Sequence, residues 1–207
     1  MADTMVIKRE LRKRIRAALK ALPTDELVQR SSTACRKLIL SDSFQRARTV
    51  ALFHHMPSGE LHTTELIKQC FALRKRVFLP KVEGGPSSRM EMYEAVDADD
   101  LARWPRGVFD IPDPPAAATR TDVEQLVQRE QCPLDVIVVP GLAFDLQGGR
   151  LGRGKGYYDH FLRRCDALHR QHGMPLPSRV GLALACQIVD CVPMAEHDQR
   201  VHELYYA

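Results

Sequence analysis

Apolar residues recur at helical spacing at the start of the chain. They follow one another from Ile7 to Leu19 at intervals of four residues, and Pro23 ends the pattern. We therefore predict a first amphipathic helix with a strongly basic outer face. Thr24 is placed to cap a second helix, which carries two acidic residues in its first turn.

Short apolar runs alternate with further helical patterns along the rest of the chain. The runs are rich in β-branched and aromatic residues, which is typical of strands. The predicted helices cover residues 63–74 and 122–129 and a segment from Tyr158 to Gly173. The predicted strands cover residues 49–53, 76–80, 90–96, 134–139, 179–185 and, as an edge strand, 201–206.

This order of elements predicts an α/β fold. A strand, a helix and a strand over residues 49–80 normally form parallel strands joined by a right-handed crossover. The continuous apolar run at 134–139 indicates a strand buried on both faces, as in the centre of a parallel sheet. With 207 residues, of which 44% are apolar, we expect a single domain over residues 1–207. Ligands of such sheets bind beyond the carboxyl ends of the strands.

Composition and charge narrow the possible functions. No apolar run approaches the roughly 20 residues of a membrane span, so we expect a soluble protein without a membrane partner. We also expect it to be cytoplasmic and monomeric. Six cysteines without a C-x-x-C pair, and no apolar leader, indicate reduced thiols in the core and no zinc. His169 and His172 are expected on an exposed helix face, and Cys186 and Cys191 in the core.

The cationic character belongs to the first 20 residues, which carry seven Lys or Arg against two acidic residues. Three interpretations stay open for this basic helix: a contact with an anion, a solvated face, or an organelle-targeting segment that would allow a mitochondrial copy. The rest of the chain is slightly acidic, and the protein is 6% aromatic, which argues against an extended nucleic-acid surface.

A glycine-rich stretch follows the strand at 134–139. Residues 149–155 fit the phosphate-loop pattern G-x-x-x-x-G-K, but Gly156 stands where that motif has Ser or Thr for Mg²⁺. Its glycines allow the backbone to approach a ligand, Arg153 and Lys155 supply charge, and a helix begins directly afterwards. A phosphate-bearing ligand fits, with Asp159 as the nearest carboxylate to replace the hydroxyl. The spacing alone also fits an exposed basic turn or a loop that binds RNA backbone.

The full string PGLAFD-x-x-G-x-RLGRGKGYYD resembles the signature of the 5-formyltetrahydrofolate cyclo-ligase family. Other positions agree in order, so that the resemblance covers nearly the whole chain. They are the K-R-x-L-R pattern at 8–12, residues 53–60, F-L-P at 78–80, I-P at 111–112 and Asp198. The resemblance implies a three-layer α/β/α fold with a mostly parallel sheet, similar to ribose-phosphate isomerases and CoA transferases.

The resemblance also implies a reaction and its site. ATP, with Mg²⁺, would phosphorylate the formyl oxygen of 5-formyltetrahydrofolate, and ring closure would give 5,10-methenyltetrahydrofolate, ADP and phosphate. Arg153 and Lys155 would act on the transferred phosphoryl group, and Asp159 and Asp198 would bind Mg²⁺. The residues implied for ATP are Lys8, Arg9, Glu10, Leu11, Arg12, Arg150, Leu151, Gly152, Arg153, Gly154, Lys155, Gly156, Tyr157 and Tyr158.

The resemblance places the folate against His54 and Glu60, together with the loop residues Arg153, Gly154, Lys155, Gly156 and Tyr157. The segment from His54 to Glu60 carries more histidine than the family pattern and reads as one residue longer. Glu60 could accept the pterin N–H groups, whereas a histidine at a strand end is more often a packing residue. Of the two adjacent tyrosines, we expect one to pack and the other to contact the ligand.

Overall fold

The computed structural model describes residues 2–82, 89–107, 110–115 and 120–207, without the side chains of residues 2 and 3. Its helices are α1 (Ala2–Ala21), α2 (Thr24–Ile39), α3 (Asp42–Arg46), α4 (Thr64–Ala72), α5 (Ala98–Ala102), α6 (Val123–Gln128) and α7 (Tyr157–Gln171). Its strands are β1 (Thr49–Ala51), β2 (Arg76–Val82), β3 (Met90–Ala95), β4 (Val136–Val139), β5 (Ala143–Phe144), β6 (Arg150–Leu151), β7 (Ser178–Ala183) and β8 (Glu203–Tyr206).

A mostly parallel sheet forms the centre of the fold. Within the described ranges its six strands follow the order β3-β2-β1-β4-β7-β8. All neighbours are parallel except β2 and β3, which run antiparallel. The predicted parallel unit β1–α4–β2 is confirmed, and β8 is an edge strand as expected. The remaining strands, β5 and β6, form a separate hairpin.

Helices cover both faces of this sheet. Val50, Val138 and the other strand residues of the same orientation pack with apolar side chains of α1, α2 and α4 in one core. Ala51, Ile137 and their equivalents pack with α6 and α7 in a second core. Because successive side chains of a strand point to opposite faces, the apolar runs supply both cores at once. The predicted three-layer α/β/α architecture is confirmed.

Several local predictions were wrong. Ile7 is 47% exposed, so the buried stripe of α1 begins at Leu11. Thr24 is the first residue of α2 and makes no capping bond; Pro23 precedes the helix with φ −57° and an extended ψ, a conformation that proline adopts without cost. Of the two cysteines expected in the core, Cys191 is exposed and Cys186 is half-buried.

His169 was predicted on the surface and is fully buried. Its Nδ1 lies 2.6 Å from the carbonyl oxygen of Pro175, and its Nε2 accepts a bond from the backbone N–H of Leu134 at 3.4 Å. Both ring nitrogens thus have backbone partners, which makes burial of the ring acceptable. This histidine ties the end of α7 to the start of the β4 segment.

The segment at 105–120, rich in proline and alanine, is described in part, since residues 108–109 and 116–119 lie outside the described ranges. Its described portions contain no helix, and Arg106 forms an isolated bridge with Pro112. No helix among the described residues is long and apolar enough to cross a membrane.

Candidate functional site

The candidate site lies where the direction of strand addition reverses. From β1 the chain passes through α4 to β2 on one side, whereas β4 is followed by β7 on the other side, and β1 and β4 are neighbours. The connections that leave their carboxyl ends therefore diverge and open a crevice, which is where ligands bind in such sheets. Residues 54–60 follow β1, and the glycine-rich stretch follows β4.

Asp145 shapes the hairpin that precedes the glycine loop. Its Oδ1 accepts bonds from the N–H groups of Gln147 (3.0 Å) and Gly149 (2.7 Å), and its Oδ2 accepts one from Val192 (2.8 Å). Gly148 has φ +83°, and an added Cβ would lie 2.4 Å from the carbonyl oxygen of Val201. The hairpin is thus fixed against the C-terminal segment. Our sequence reasoning gave Asp145 no role, although an Asp before two glycines is typical of an Asx turn.

The glycine loop, residues 152–156, leads directly into α7. Gly154 has φ +102° and Gly156 has φ +72°, and Gly156 occupies the N-cap position of α7 without a side-chain cap. The first N–H groups of the helix therefore have no capping side chain, and they carry the positive end of the helix dipole. Arg153 and Lys155 are exposed on this loop. The arrangement suits a bound anion.

Helix α1 brings Arg12 to the glycine loop and Lys8 to the C-terminal segment that carries Asp198. Arg12 donates from Nε to the carbonyl oxygen of Gly152 at 2.9 Å, and Lys8, 9% exposed, pairs with Asp198. Burial is the main cause that lowers the pKa of Arg12, and the nearby Arg16 lowers it further.

The other residues predicted within 8–12 do not face the loop in the same way. Arg9 and Glu10 form an exposed ion pair with each other at 3.5 Å. Leu11 is buried in the core beneath α1. The helical repeat explains this difference, because Lys8 and Arg12 are four residues apart and share one face, whereas their neighbours point elsewhere.

Arg150 and Leu151, both predicted as ATP contacts, lie beneath the loop. Leu151 is a core residue, and the Arg150 side chain is 3% exposed. Arg150 donates to Asp159 Oδ1 at 2.6 Å and to the carbonyl oxygen of Pro140 at 3.2 Å. The structure therefore gives the Arg150 side chain a role in holding Asp159.

The two predicted metal ligands come together at the start of α7. The N–H of Gln199 donates to Asp159 Oδ1 at 2.9 Å, and Gln199 directly follows Asp198 in the chain. Asp198 Oδ2 accepts from the N–H of Ala195 at 2.7 Å and from Lys8. Burial opposes ionisation of Asp198, but these two donors outweigh it and lower its pKa.

Each of these carboxylates already has a cationic partner. Among the described residues, no group of three or more His, Cys, Asp or Glu side chains is placed to hold a metal ion. Mg²⁺ commonly binds through one or two carboxylates, with substrate phosphates and water as its other ligands. Asp159 and Asp198 fit that donor set.

Glu60 meets the glycine loop from the β1 side of the crevice. Its Oε2 accepts from the N–H of Met56 at 2.9 Å, and its Oε1 lies 3.3 Å from Nη2 of Arg153. Burial raises the pKa of Glu60, and the Met56 N–H and the Arg153 cation oppose that rise without cancelling it. A mostly buried carboxylate from the segment predicted to bind the folate thus contacts the loop predicted to bind both ATP and the folate.

Thr63, which our sequence reasoning did not single out, closes the base of the segment that carries Glu60. Its hydroxyl donates to the carbonyl oxygen of Phe53 at 2.8 Å and accepts from the N–H of His55 at 3.2 Å. Its own N–H donates to His55 Nδ1 at 3.1 Å. The position of Thr63 directly before α4 is the signal that could have suggested a structural role.

His54 lines a separate cavity of about 230 Å³ with Trp104, Arg106 and side chains of α4 and α5. Its Nδ1 is 3.1 Å from the carbonyl oxygen of His55, and the rings of His54 and His55 stack at 5.1 Å. Burial is the main cause that lowers the pKa of His54, and burial with the neighbouring histidines lowers that of His55 to about 4. Both rings are therefore neutral near pH 7. Glu60 is not among the side chains that line this cavity.

Tyr157 and Tyr158 both pack against the core on the α7 side of the sheet. The Tyr158 hydroxyl is buried and has no hydrogen-bond partner among the described residues. Its burial raises the pKa of the phenol, and Glu60 adds to the effect. Tyr158 is thus the more deeply packed member of the pair.

Comparison with known proteins gives a consistent result. A family model described as the 5-formyltetrahydrofolate cyclo-ligase family matches residues 4–207. The mouse protein named 5-formyltetrahydrofolate cyclo-ligase is 33% identical over 199 residues, which cover 96% of this chain and 93% of the mouse protein. An Arabidopsis thaliana protein, named as the mitochondrial cyclo-ligase, is 27% identical and covers 95% of this chain and 73% of that protein.

A solved structure agrees with these relatives. The NMR structure of Aquifex aeolicus 5,10-methenyltetrahydrofolate synthetase has a TM-score of 0.73 and 31% sequence identity. The match covers 96% of this chain and 89% of that one. The structural similarity, like the sequence similarity, therefore extends over nearly the whole chain.

Proposed function

Because the chain belongs to the 5-formyltetrahydrofolate cyclo-ligase family, and is an enzyme that converts 5-formyltetrahydrofolate to 5,10-methenyltetrahydrofolate, we propose that ATP drives this conversion in the crevice between β1 and β4. The supporting observation is that a cationic face of the first helix meets the basic glycine loop and the C-terminal segment that carries Asp198. Arg12 reaches the loop from α1, Lys8 of the same helix pairs with Asp198, and Arg153 and Lys155 belong to the loop.

The chemistry explains why a phosphate donor is needed. The formyl oxygen of an amide is a poor leaving group, so ring closure needs it converted to a better one. The formyl oxygen attacks the γ-phosphorus of ATP, and ADP leaves. The N10 nitrogen then attacks the formyl carbon, its proton is lost, and phosphate departs with the former formyl oxygen. The product is the cationic methenyl compound.

The glycine loop is suited to positioning for this transfer. Phosphoryl transfer needs in-line alignment and neutralisation of developing charge more than covalent help from the protein. The planar guanidinium of Arg153 and the ammonium of Lys155 can contact different phosphate oxygens. The uncapped start of α7 adds backbone N–H donors at the same place.

Asp159 and Asp198 would hold Mg²⁺, with ATP phosphates and water as the other ligands. The ion, when bound, neutralises charge on the phosphate oxygens. The cationic partners of these carboxylates fit this proposal, since Arg150 fixes Asp159 from below and Lys8 is itself placed to contact phosphate.

We place the folate on the β1 side of the crevice. The Glu60 carboxylate can accept the N–H groups of the pterin ring, as charge-assisted bonds, once Arg153 turns to phosphate. His54, neutral near pH 7, would contribute from the wall of the cavity that contains Trp104.

We further propose a monomeric, cytoplasmic enzyme. Removal of α1 as a targeting leader would take Lys8 and Arg12 out of the site and would uncover part of the core. This basic helix is therefore better suited to a phosphate contact than to a cleaved import signal. Comparison of the mature N-terminus of protein purified from its native source with the sequence would test this.

The test of the whole proposal is an absorbance assay. Purified protein with 5-formyltetrahydrofolate and Mg²⁺ should give no near-ultraviolet signal of the methenyl product until ATP is added, and ADP should then appear in equal amount. Arg153→Ala and Lys155→Ala should each lower turnover at least about 100-fold while circular dichroism stays unchanged. Arg163→Ala, an exposed change on α7, is the matched control. Product without ATP, or without matching ADP, would contradict the proposal.

A further inference from the structure

A buried charge network runs along α7 away from the glycine loop. Asp159 and Asp166 are seven residues apart and so lie on one face of α7, two turns from each other. Each is paired with an arginine of a strand: Arg150 of β6 holds Asp159, and Arg179 of β7 holds Asp166. The side chains of Arg179 and Asp166 are 9% and 11% exposed.

Gln199 connects the two ion pairs. Arg179 donates from Nη1 to the side-chain oxygen of Gln199 at 3.0 Å, and the N–H of Gln199 donates to Asp159 Oδ1 at 2.9 Å. The Arg179 backbone holds the same segment, because its N–H donates to His202 Nδ1 at 3.1 Å and its carbonyl accepts from the N–H of His202 at 2.7 Å.

Stability alone is a weak explanation for this network. A buried ion pair loses much of its solvation, and apolar residues of similar volume often stabilise a fold equally well. Here Nε of Arg179 and Oδ1 of Asp166 are buried without partners in the described structure, which adds to that cost. The geometric effect is more specific, because the network fixes Gln199, which directly follows Asp198 and whose N–H orients Asp159.

We propose that Arg179 is a positioning residue for the Mg²⁺–ATP site and acts through Gln199 on the orientation of Asp159. The two donors to Asp159, Arg150 and the Gln199 N–H, use the same oxygen, Oδ1, and so leave Oδ2 for the metal. Without Arg179, Gln199 loses the contact that fixes its side chain. This inference rests on the proposed role of Asp159 as a metal ligand.

The test compares variants by their Mg²⁺-dependent binding of a non-hydrolysable ATP analogue in calorimetry. Arg179→Lys keeps a cation beside Asp166 but cannot also reach Gln199, and Gln199→Met keeps the size of the side chain without its acceptor. We expect the half-saturating Mg²⁺ concentration to rise about tenfold in Arg179→Lys and about three- to tenfold in Gln199→Met. The affinity for 5-formyltetrahydrofolate should not change.

Arg170→Gln is the matched control. Arg170 also pairs with Asp166, at 3.6 Å, but its side chain is 65% exposed and it has no link to Gln199 in the described structure. This variant should bind Mg²⁺–ATP as the wild type does. Thermal unfolding of every variant shows whether it is folded at the assay temperature. If Arg179→Lys is unfolded, the Mg²⁺ dependence of Gln199→Met tests the positioning role.

The outcomes separate the two proposals. A wild-type protein that does not bind the analogue in a Mg²⁺-dependent way would refute the proposed metal site itself. A wild type that does so, with a folded Gln199→Met or Arg179→Lys that responds identically to Mg²⁺, would refute the positioning role alone. If Arg179 acted only on stability, Arg179→Lys would lower the unfolding temperature without changing the Mg²⁺ affinity of the folded protein, and this result would also overturn the inference.

Discussion

Replacement of Lys8 by methionine tests how α1 is held on the site. Methionine keeps most of the apolar stem of lysine and removes the ammonium group that pairs with Asp198. Loss of one partner of a fully buried ion pair costs about 3–5 kcal/mol, and an exposed pair contributes at most about 1 kcal/mol.

The surroundings of Lys8 and Asp198 set the expected value between these limits. Their side chains are 11% and 14% exposed, and Asp198 keeps its bond from the N–H of Ala195. We expect the free energy of unfolding to fall by about 2 kcal/mol, which lowers the urea midpoint by about 1 M. Arg9→Met, at a neighbouring side chain that is 74% exposed, should cost less than about 0.5 kcal/mol.

The pH dependence of this difference can also be predicted. The pKa of Asp198 in the folded protein lies below its ordinary value of 3.8. Its contribution to stability is therefore present above pH 3.8 and is lost as the pH falls through the lower folded-state pKa. The Lys8→Met difference should be constant near pH 7 and should shrink in acid. Equal urea midpoints of the variant and the wild type at pH 7 would refute the reasoning. So would a double-mutant cycle of Lys8→Met and Asp198→Asn in which the two losses of unfolding free energy simply add.

Three further predictions concern other contacts. Gly148→Ala should lower the free energy of unfolding in urea by at least about 1–3 kcal/mol, because the φ of Gly148 is +83° and the added Cβ would lie 2.4 Å from the carbonyl oxygen of Val201. Gly173→Ala, where the added Cβ meets open space, should cost about 1 kcal/mol in the same measurement. Cys191, which is exposed, should react with a thiol reagent at pH 8 well before Cys35, whose pKa burial raises to about 12; equal rates would contradict this. Glu60→Gln should stabilise the ligand-free protein at pH 7 while weakening folate binding, since ionisation of a carboxyl whose folded-state pKa is raised opposes folding. The gain should shrink as the pH falls through that raised pKa and should be absent below pH 4.5, and a loss of stability at pH 7 would disprove it.

The sequence was informative where a pattern repeats over several residues. The strand at Val136–Val139 has four buried residues, and its continuous apolar run allowed only a central position. The glycine loop was recognisable because its glycines and cations are adjacent in sequence. The hairpin of β5 and β6 and the five-residue helices α3 and α5 are too short to show a period, and we did not predict them.

Partners distant in sequence could not be predicted from periodicity. The helical repeat indicates that Lys8 and Arg12 share a face of α1, but it carries no information on what that face meets. Arg150 illustrates the same limit, since a cation within a basic loop gives no sign that its side chain turns inward to Asp159. The burial of His169 could not be predicted either, because its two backbone partners lie outside α7.

The contact between Lys8 and Asp198 also has a consequence in time, because the two residues are 190 positions apart. A ribosome that adds about 5–20 residues per second needs about 10–40 s to pass from one to the other. Helix α1 packs on β5 and on the short 3₁₀ helix Ala185–Gln187, both of which are synthesised late. During that interval the apolar stripe of α1 has no surface to cover it. The first helix to be made is therefore among the last to reach its place in the fold.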